Sequence, residues 1–162
     1  MPDLLPEPAY FATLARAIAS ASVILRDEHG RVVIEDPNYR DHWLLPGGSV
    51  DPGEDPRQCA QREVAEELGV EVQVGRLLTV NWVPGRPSSG APMGLHFVFD
   101  AGVLPAAQLE AQVVAQVEEL DGWMLATEEQ LSLLGPWGER RARRSLAVLR
   151  GDAPADLFGM EH

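Results

Sequence analysis

The chain has 162 residues, of which 45% are hydrophobic and 23% charged, a composition that fits one globular domain with its own core and excludes a disordered chain. Its 13 Lys and Arg against 25 Asp and Glu give a formal net charge of −12, so neither nucleic acid nor an anionic membrane is expected as a partner. The single cysteine, Cys59, excludes an internal disulfide framework and suits a reducing compartment.

The N-terminal residues show none of the features of a targeting signal. They are acidic and interrupted by prolines, unlike the basic and then apolar layout of a signal peptide. No apolar run approaches the roughly 18 residues that a membrane-spanning helix needs, so we expect a cytoplasmic protein without membrane contact. Residues 1–17 are interpreted as an N-terminal extension, with a helix at residues 9–19 whose Phe11, Leu14 and Ile18 share one side.

A β-hairpin and a long loop are predicted next along the chain. The apolar residues 21–25 and 31–34 flank an Asp-Glu-His-Gly turn, which is typical of a hairpin. Residues 46–56 are rich in Gly and Pro and indicate a loop, which leads into a helix over residues 56–68. Gly69, directly after this helix, is a favourable C-terminal cap.

Strands dominate the next part of the predicted fold. Residues 70–83 and 95–99 are interpreted as strands, separated by a loop at 84–92 that contains several prolines and glycines. Residues 109–120 fit either a helix or a strand, because the apolar spacing suits the first and the adjacent valines suit the second.

The C-terminal part is predicted to be mainly helical. Residues 127–130 read Thr-Glu-Glu-Gln, the form of a capping box that opens a short helix ending at Gly135. An Arg-rich helix follows and runs to about Arg150, and residues 151–162 are expected to form a flexible tail. The alternation of strands and helices over residues 18–150 predicts one α/β or α+β domain.

One segment, residues 48–70, carries residues whose spacing points to metal chemistry. At about 100° per residue, Glu63, Glu66 and Glu67 fall within about 100° of one face of the predicted helix. Carboxylates at this spacing suit a hard cation such as Mg²⁺, whereas a solvated acidic face is the ordinary alternative in a Glu-rich chain. The flanking glycines favour the cation, because they allow the backbone to turn sharply and approach a ligand.

Residues 48–70 resemble the signature of the Nudix hydrolase family at every defined position. That signature reads Gly, five residues, Glu, seven residues, Arg-Glu, an aliphatic residue, any residue, Glu-Glu, any residue, Gly and an aliphatic residue. The resemblance covers residues 18–135 and implies a Nudix-type α/β/α sandwich around a mixed β-sheet. It also implies Mg²⁺- or Mn²⁺-dependent hydrolysis of the diphosphate linkage in a nucleoside diphosphate derivative. Cations between protein and substrate would then reconcile their like charges.

The resemblance assigns catalytic roles to the acidic helix. It implies that Glu63, Glu66 and Glu67 are metal ligands, with the carbonyl of Gly48 as a further oxygen donor. The bound metal would neutralise the diphosphate oxygens and lower the pKa of a water that attacks phosphorus.

Further residues receive supporting roles from the same resemblance. Glu54 and Arg62 are expected to be structural, with Arg62 bridging to Glu54 or to Glu66 and so orienting the ligands. Two candidates remain for the general base: a Glu of the signature helix and a Glu of a later loop. In that loop we prefer Glu119 to Glu118, as base or metal ligand, with a solvated pair beside a turn as the alternative.

Two arginines are candidate substrate-binding residues, each with an ordinary surface position as the alternative. Arg40 lies between the hairpin and the signature, where a cation could reach a terminal phosphate. Arg86 lies in the 84–92 loop, which is well placed to select the non-nucleotide half of the substrate. Pro84 is close to the position at which ADP-ribose enzymes often carry a proline, which makes an ADP-ribose-like compound one candidate substrate. Nucleoside triphosphates are the other candidate.

Two other functions compete with hydrolysis. A non-catalytic nucleotide sensor with this fold would usually lack some signature carboxylates, and this chain has them all. Diphosphate isomerisation usually needs a catalytic cysteine and additional metal ligands, whereas Cys59 lies inside the signature helix. The expected partner is therefore a small nucleotide diphosphate substrate, and a homodimer is a further expectation from the family.

Overall fold

The computed structural model describes residues 7–86, 88 and 90–159. Within them, a mixed sheet of seven strands forms the centre of the molecule. The strands are β1 (Ala17–Arg26), β2 (Val32–Pro37), β3 (Gly47–Ser49), β4 (Leu77–Val83), β5 (Met93–Val103), β6 (Leu120–Ala126) and β7 (Leu157–Gly159). The helices are α1 (Glu7–Thr13), α2 (Pro56–Leu68), α3 (Ala106–Gln112) and α4 (Gly135–Arg150), with a 3-10 helix at Glu129–Leu134.

Helices cover both faces of this sheet. The strand order is β6-β2-β1-β5-β4-β7, and β3 pairs with β1 outside this path. The β1–β5 and β4–β7 pairs are parallel and the other pairs antiparallel. Apolar residues of α2 join one buried cluster and those of α4 join another, so the strands lie between two helical layers. The predicted α/β/α sandwich around a mixed sheet is confirmed.

The sequence predicts α2 closely because both of its ends are marked. The side chain of Asp55 accepts hydrogen bonds from the backbone N–H groups of Arg57 and Gln58, and the Gln58 side chain returns to the backbone of Asp55. Pro56 occupies the first helical position, where a missing N–H costs nothing. Gly69 ends the helix with a left-handed φ of 66°, which only glycine adopts readily. The predicted hairpin between β1 and β2 is also present.

The predicted helix at residues 9–19 is wrong in its second half. Helix α1 ends at Thr13, and β1 begins at Ala17. Ile18 pairs with Gly94 of β5, because sheet pairing over ten residues outweighs the weak helical spacing of the sequence. The shared apolar side that suggested a helix is not buried, since the Phe11 side chain is 60% exposed.

Two of the later predictions need correction. Only Leu77–Val83 of the predicted 70–83 strands is β-structure, although Val70, Val72 and Val74 are buried in the core under α2. The ambiguous stretch 109–120 is neither one helix nor one strand: α3 ends at Gln112 and β6 begins at Leu120. Val117 is 82% exposed between them.

The C-terminal part also differs from prediction. The short helix before Gly135 is a 3-10 helix, and Gly135 begins α4 directly after it. Helix α4 reaches Arg150 as predicted. The expected loose tail contains β7, whose Leu157–Gly159 pairs with β4, while its residues 160–162 lie outside the described part. No helix among the described residues is long and apolar enough to cross a membrane.

Candidate active site

The loop that leads into α2 is positioned by two glycines in close contact with their surroundings. The predicted loop at residues 46–56 is wrong at its start, because Gly47–Ser49 form strand β3, whose Gly47 and Gly48 pair with β1. A Cβ on Gly47, whose φ is 142°, would lie 2.1 Å from the carbonyl oxygen of Ala21. A Cβ on Gly48 would lie 2.3 Å from Oε1 of Glu63. Glycine at both positions therefore allows the loop to pass directly against the sheet and the acidic face of α2.

Arg62 lies at the centre of an ion-pair network on this face. Its Nη2 lies 2.7 Å from Oε1 of Glu54, and its Nη1 lies 2.9 Å from Oε1 of Glu63 and 3.0 Å from Oε2 of Glu66. Hydrogen bonds from Arg62 and from the backbone N–H of Asp51 lower the pKa of Glu54 to about 2. The predicted bridge from Arg62 thus reaches both Glu54 and Glu66, which ties the loop to the helix.

Glu67 has a different environment, deep beneath the loop. Its side chain is 5% exposed, and its Oε2 accepts a hydrogen bond of 2.8 Å from the backbone N–H of Gly47. Burial raises the pKa of Glu67 to about 7, and the charge of Glu63 acts in the same direction against the bond from Gly47. Glu67 also shares a hydrogen bond with the carboxyl group of Glu35.

Glu35 is a site residue that the sequence analysis missed. It lies on β2, is 1% exposed, and its Oε1 is buried without a hydrogen-bond partner. Burial, followed by the charge of Glu67, raises its pKa well above the ordinary value. Strand alternation could have predicted this position, because it places Glu35 on the same face of β2 as Val33, and Val33 belongs to the core under α2. A glutamate on such a face is unusual unless it is paired.

Glu119 lies near this group through the segment that precedes β6. The backbone N–H of Gln116 donates to the carbonyl of Glu67, at 3.0 Å, and the N–H of Asn38 donates to the carbonyl of Glu119, at 2.9 Å. These contacts bring the Glu119 carboxylate close enough for its charge to raise the pKa values of Glu63 and Glu67. The structure therefore brings the preferred glutamate of this loop into the acidic group.

The donors of this group fit a hard divalent cation in chemistry. They are carboxylates and backbone carbonyls, the oxygen ligands that Mg²⁺ and Mn²⁺ prefer, and the partnerless Oε1 of Glu35 is buried among them. As they stand, no three Asp, Glu, His or Cys side chains of the described residues are gathered into a ready metal site. Since Arg62 engages Glu63 and Glu66, a cation would compete with its guanidinium for these ligands.

A cavity of about 480 Å³ adjoins the glycine loop. Gly47–Ser49 line it on one side and α4 residues, among them Trp137 and Arg141, on another. The predicted substrate residue Arg40 also lines this cavity. Arg86 does not, but its guanidinium carbon lies 6.0 Å from the centre of the Trp137 ring. The structure thus places one predicted arginine in the cavity and the other beside an aromatic ring of its wall.

Two polar side chains of the cavity wall are held rigidly. Nε of Arg141 donates to Oδ1 of Asn81, at 2.9 Å, and burial lowers the Arg141 pKa to about 10 without an acidic group acting against it. The ring nitrogens of His96 contact the hydroxyls of Ser20 and Ser22, and burial lowers the His96 pKa, which keeps the ring neutral. His96 is therefore a hydrogen-bonded residue of the cavity wall, and Arg141 presents a cation to the cavity.

Comparisons with known proteins agree with this arrangement. A family model described as the NUDIX domain matches residues 16–147. Diphosphoinositol polyphosphate phosphohydrolase 2 of Rattus norvegicus is 45% identical over 49 residues, which are 30% of this chain and 27% of the relative. The match therefore spans less than a third of that relative.

Solved structures extend the similarity to most of the chain. The MutT protein from Methanosarcina mazei Go1 superposes with a TM-score of 0.65 at 22% identity, covering 86% of this chain and 98% of that one. The E. coli ORF135 protein gives a TM-score of 0.65 at 25% identity, covering 88% of this chain and 96% of that one. These similarities concern the fold as a whole, whereas the curated relative is similar over a short segment.

Proposed function

This chain belongs to the Nudix hydrolase family, and on that premise we propose that it is a pyrophosphohydrolase that cleaves the diphosphate linkage of a nucleoside diphosphate derivative. The observation that carries the proposal is the acidic face of α2, where Glu63 lies against Gly48, Glu67 accepts a hydrogen bond from Gly47 and Glu66 is held by Arg62. A cavity large enough for part of a nucleotide opens next to that face.

Mg²⁺ or Mn²⁺ is the proposed cofactor. Glu63, Glu66, Glu67 and the carbonyl of Gly48 would hold it. When bound, such a cation neutralises diphosphate oxygens and lowers the pKa of a coordinated water. Arg62 positions Glu63 and Glu66 through its hydrogen bonds and couples them to Glu54 in the loop, so its role is to orient ligands rather than to react.

Glu119 is the proposed general base or an additional metal ligand. Its charge acts on Glu63 and Glu67, and its side chain is exposed, so it can accept a proton from water and release it to solvent. Glu67, in contrast, is buried and engaged by Gly47 and Glu35, which suits a ligand better than a base.

The cavity beside Gly47–Ser49 is the proposed site for the part of the substrate that does not react. Arg141 and Arg40 line it and would attract an anionic group, and Trp137 offers a ring for stacking. Arg86 lies against that ring and is proposed to contact the substrate at the same place. A homodimer and a cytoplasmic location stay predictions.

A panel of substrates tests this function. Purified protein with Mg²⁺ would be given ADP-ribose, a nucleoside triphosphate, a dinucleoside polyphosphate and a diphosphoinositol polyphosphate, and the products separated by chromatography. We expect turnover of at least one compound, a loss of at least about 10²-fold in the Glu67→Gln variant because a buried metal ligand is removed, and unchanged turnover in Glu110→Gln. Glu110 is an exposed control on α3.

The outcomes of the panel separate the alternatives. Full turnover in excess EDTA, or in a folded Glu67→Gln variant, would contradict the metal-dependent mechanism. Tight binding of a nucleotide without any turnover would favour the non-catalytic sensor. Isomerisation by a thiol is disfavoured by the structure, because Cys59 is buried and burial raises its pKa to about 11.

A further inference from the structure

Glu35 is a carboxylate outside the family signature that the fold fixes beside the acidic face of α2. Its strand β2 pairs with β6 on one side, where Glu35 lies opposite Trp123. On the other side the backbone of Glu35 exchanges two hydrogen bonds of 2.9 Å with Leu44. The backbone is therefore held from both sides, and the side chain points into the buried space next to Glu67.

The surroundings of Glu35 do not satisfy its carboxyl group. Oε1 is buried without a hydrogen-bond partner, which is rare and costly for a polar atom in a folded protein. The charged groups that act on Glu35 are Glu67 and Glu63, both acidic. Among the residues that the structure describes, no basic group acts on Glu35 to compensate them.

Asp27 shows how this fold treats a buried carboxylate with a structural role. Its Oδ1 accepts hydrogen bonds from the backbone N–H groups of His29 and Arg31, at 3.0 and 2.8 Å, and its Oδ2 accepts one of 2.6 Å from Nε of Arg31. Both oxygens and the charge are thus compensated within the hairpin turn. The contrast indicates that the polypeptide itself does not supply the partner that the carboxyl group of Glu35 needs.

We propose that Glu35 is a further ligand of the divalent cation in this site, binding through Oε1 from the sheet side while α2 supplies Glu67 from the opposite side. This inference rests on the proposed function, since it assumes a cation at the acidic face. A divalent cation supplies both the positive charge and the oxygen partner that the buried pair lacks, and oxygen donors are the ligands it prefers. If this residue served only for packing, an apolar side chain would avoid the free-energy cost of burying a carboxyl group.

A role in positioning Glu67 alone is the main alternative, and Glu35→Gln separates the two. The amide of glutamine has nearly the same shape and can still donate a hydrogen bond to Glu67, but it carries no charge and is a poor ligand for a hard cation. If Glu35 only positioned Glu67, this variant would bind metal like the wild type.

The test is a titration with Mn²⁺ in the absence of nucleotide, with free Mn²⁺ followed by electron paramagnetic resonance. We expect Glu35→Gln and Glu67→Gln each to weaken Mn²⁺ binding by at least about 10-fold. The matched control is Asp27→Asn, which removes a buried carboxylate that is bonded within the hairpin turn and is expected to leave Mn²⁺ affinity unchanged. Thermal unfolding of the same samples without metal checks that each variant is folded.

The outcomes distinguish this proposal from the function on which it rests. Wild-type affinity in folded Glu35→Gln, together with a loss in Glu67→Gln, overturns the role of Glu35 and leaves the proposed function intact. Wild-type protein that binds no Mn²⁺ overturns both. Should Glu35→Gln not fold, Glu35→Leu replaces it, because an apolar side chain suits this buried strand position, and unchanged Mn²⁺ binding in that variant refutes the proposal.

Discussion

The carboxylates around α2 occupy two opposite electrostatic environments. Glu54 lies beside the guanidinium of Arg62, whose hydrogen bond lowers its pKa to about 2. Glu67 lies beneath the loop next to Glu35, and burial raises its pKa to about 7. The first environment stabilises a permanent anion that organises the loop. The second makes ionisation unfavourable in the metal-free protein, so a bound cation would be needed to compensate the negative charge of the ionised pair.

The raised pKa of Glu67 predicts how the stability of the metal-free protein depends on pH. Because the folded state holds the proton up to about pH 7 and the unfolded state releases it near the ordinary value of 4.5, stability is highest below that lower value. It should fall as pH rises toward 7, by on the order of 3 kcal/mol for this group. Denaturant unfolding in EDTA across this range measures the effect.

The Glu67→Gln variant isolates that contribution from other titrating groups. It should lose less stability than the wild type between about pH 4.5 and about pH 7, while Glu110→Gln should follow the wild type. The carboxyl of Glu54 affects stability only at lower pH. Its folded pKa is depressed from 4.5 to about 2, so the stability that it contributes is lost as the pH falls between these two values. Parallel curves for wild type and Glu67→Gln would contradict a buried, proton-holding Glu67.

At the scale of elements, the placement of the site depends on where α2 begins. Strand β3 delivers Gly47 and Gly48 to the acidic face, and the cap at Asp55 fixes the first turn of the helix. The position of each glutamate along the axis follows from that start, because the helix has no freedom of register once it is capped. The loop and the helix therefore act as one unit.

Replacing the cap predicts a measurable loss of stability. Asp55→Ala removes the acceptor for the backbone N–H groups of Arg57 and Gln58, at 2.8 and 3.0 Å, and should cost about 1 kcal/mol of unfolding free energy. Asp55→Asn is the matched control and should remain within a few tenths of a kcal/mol of the wild type, because its amide oxygen still caps. Equal stability of Asp55→Ala and wild type would show that the cap is not needed.

Elements with local end signals could be predicted from the sequence, and elements that depend on distant partners could not. Helix α2 carries Asp55, Pro56 and Gly69 in its own sequence, so its bounds were correct. Strand β7 exists only because Leu157–Gly159 meets β4, and the start of β1 at Ala17 depends on β5. Neither partner is visible in a local pattern.

The same distinction between local signals and distant partners applies to the residues of the site. The signature residues could be placed from their spacing, and the structure brings Glu63, Glu67 and Glu119 near one another. Glu35 belongs to no signature and reaches the site only because β2 lies beneath α2. Arg141 of α4 lines the cavity together with residues of β1, β3 and β5, and the sequence of the Arg-rich helix alone does not show which of its arginines does so.

At the scale of the whole molecule, the two helical layers contribute different residues to the site. Helix α2 and its loop carry the acidic groups on one face of the sheet, and α4 on the other face contributes Trp137 and Arg141 to the adjoining cavity. The net charge of −12 repels an anionic substrate at long range. A bound cation and the cavity arginines would reverse the sign locally, where the proposed diphosphate substrate would lie.

The identity of the atom that water attacks can be measured directly. Hydrolysis of the best substrate of the panel would be run with Mg²⁺ in water labelled with the heavy oxygen isotope, and each product analysed by mass spectrometry. Attack at phosphorus beside the α2 carboxylates predicts that the label enters one phosphate-bearing product as a phosphate oxygen. Label bound to carbon, or equal turnover in the Glu67→Gln protein, would contradict cleavage of a diphosphate by water at this site.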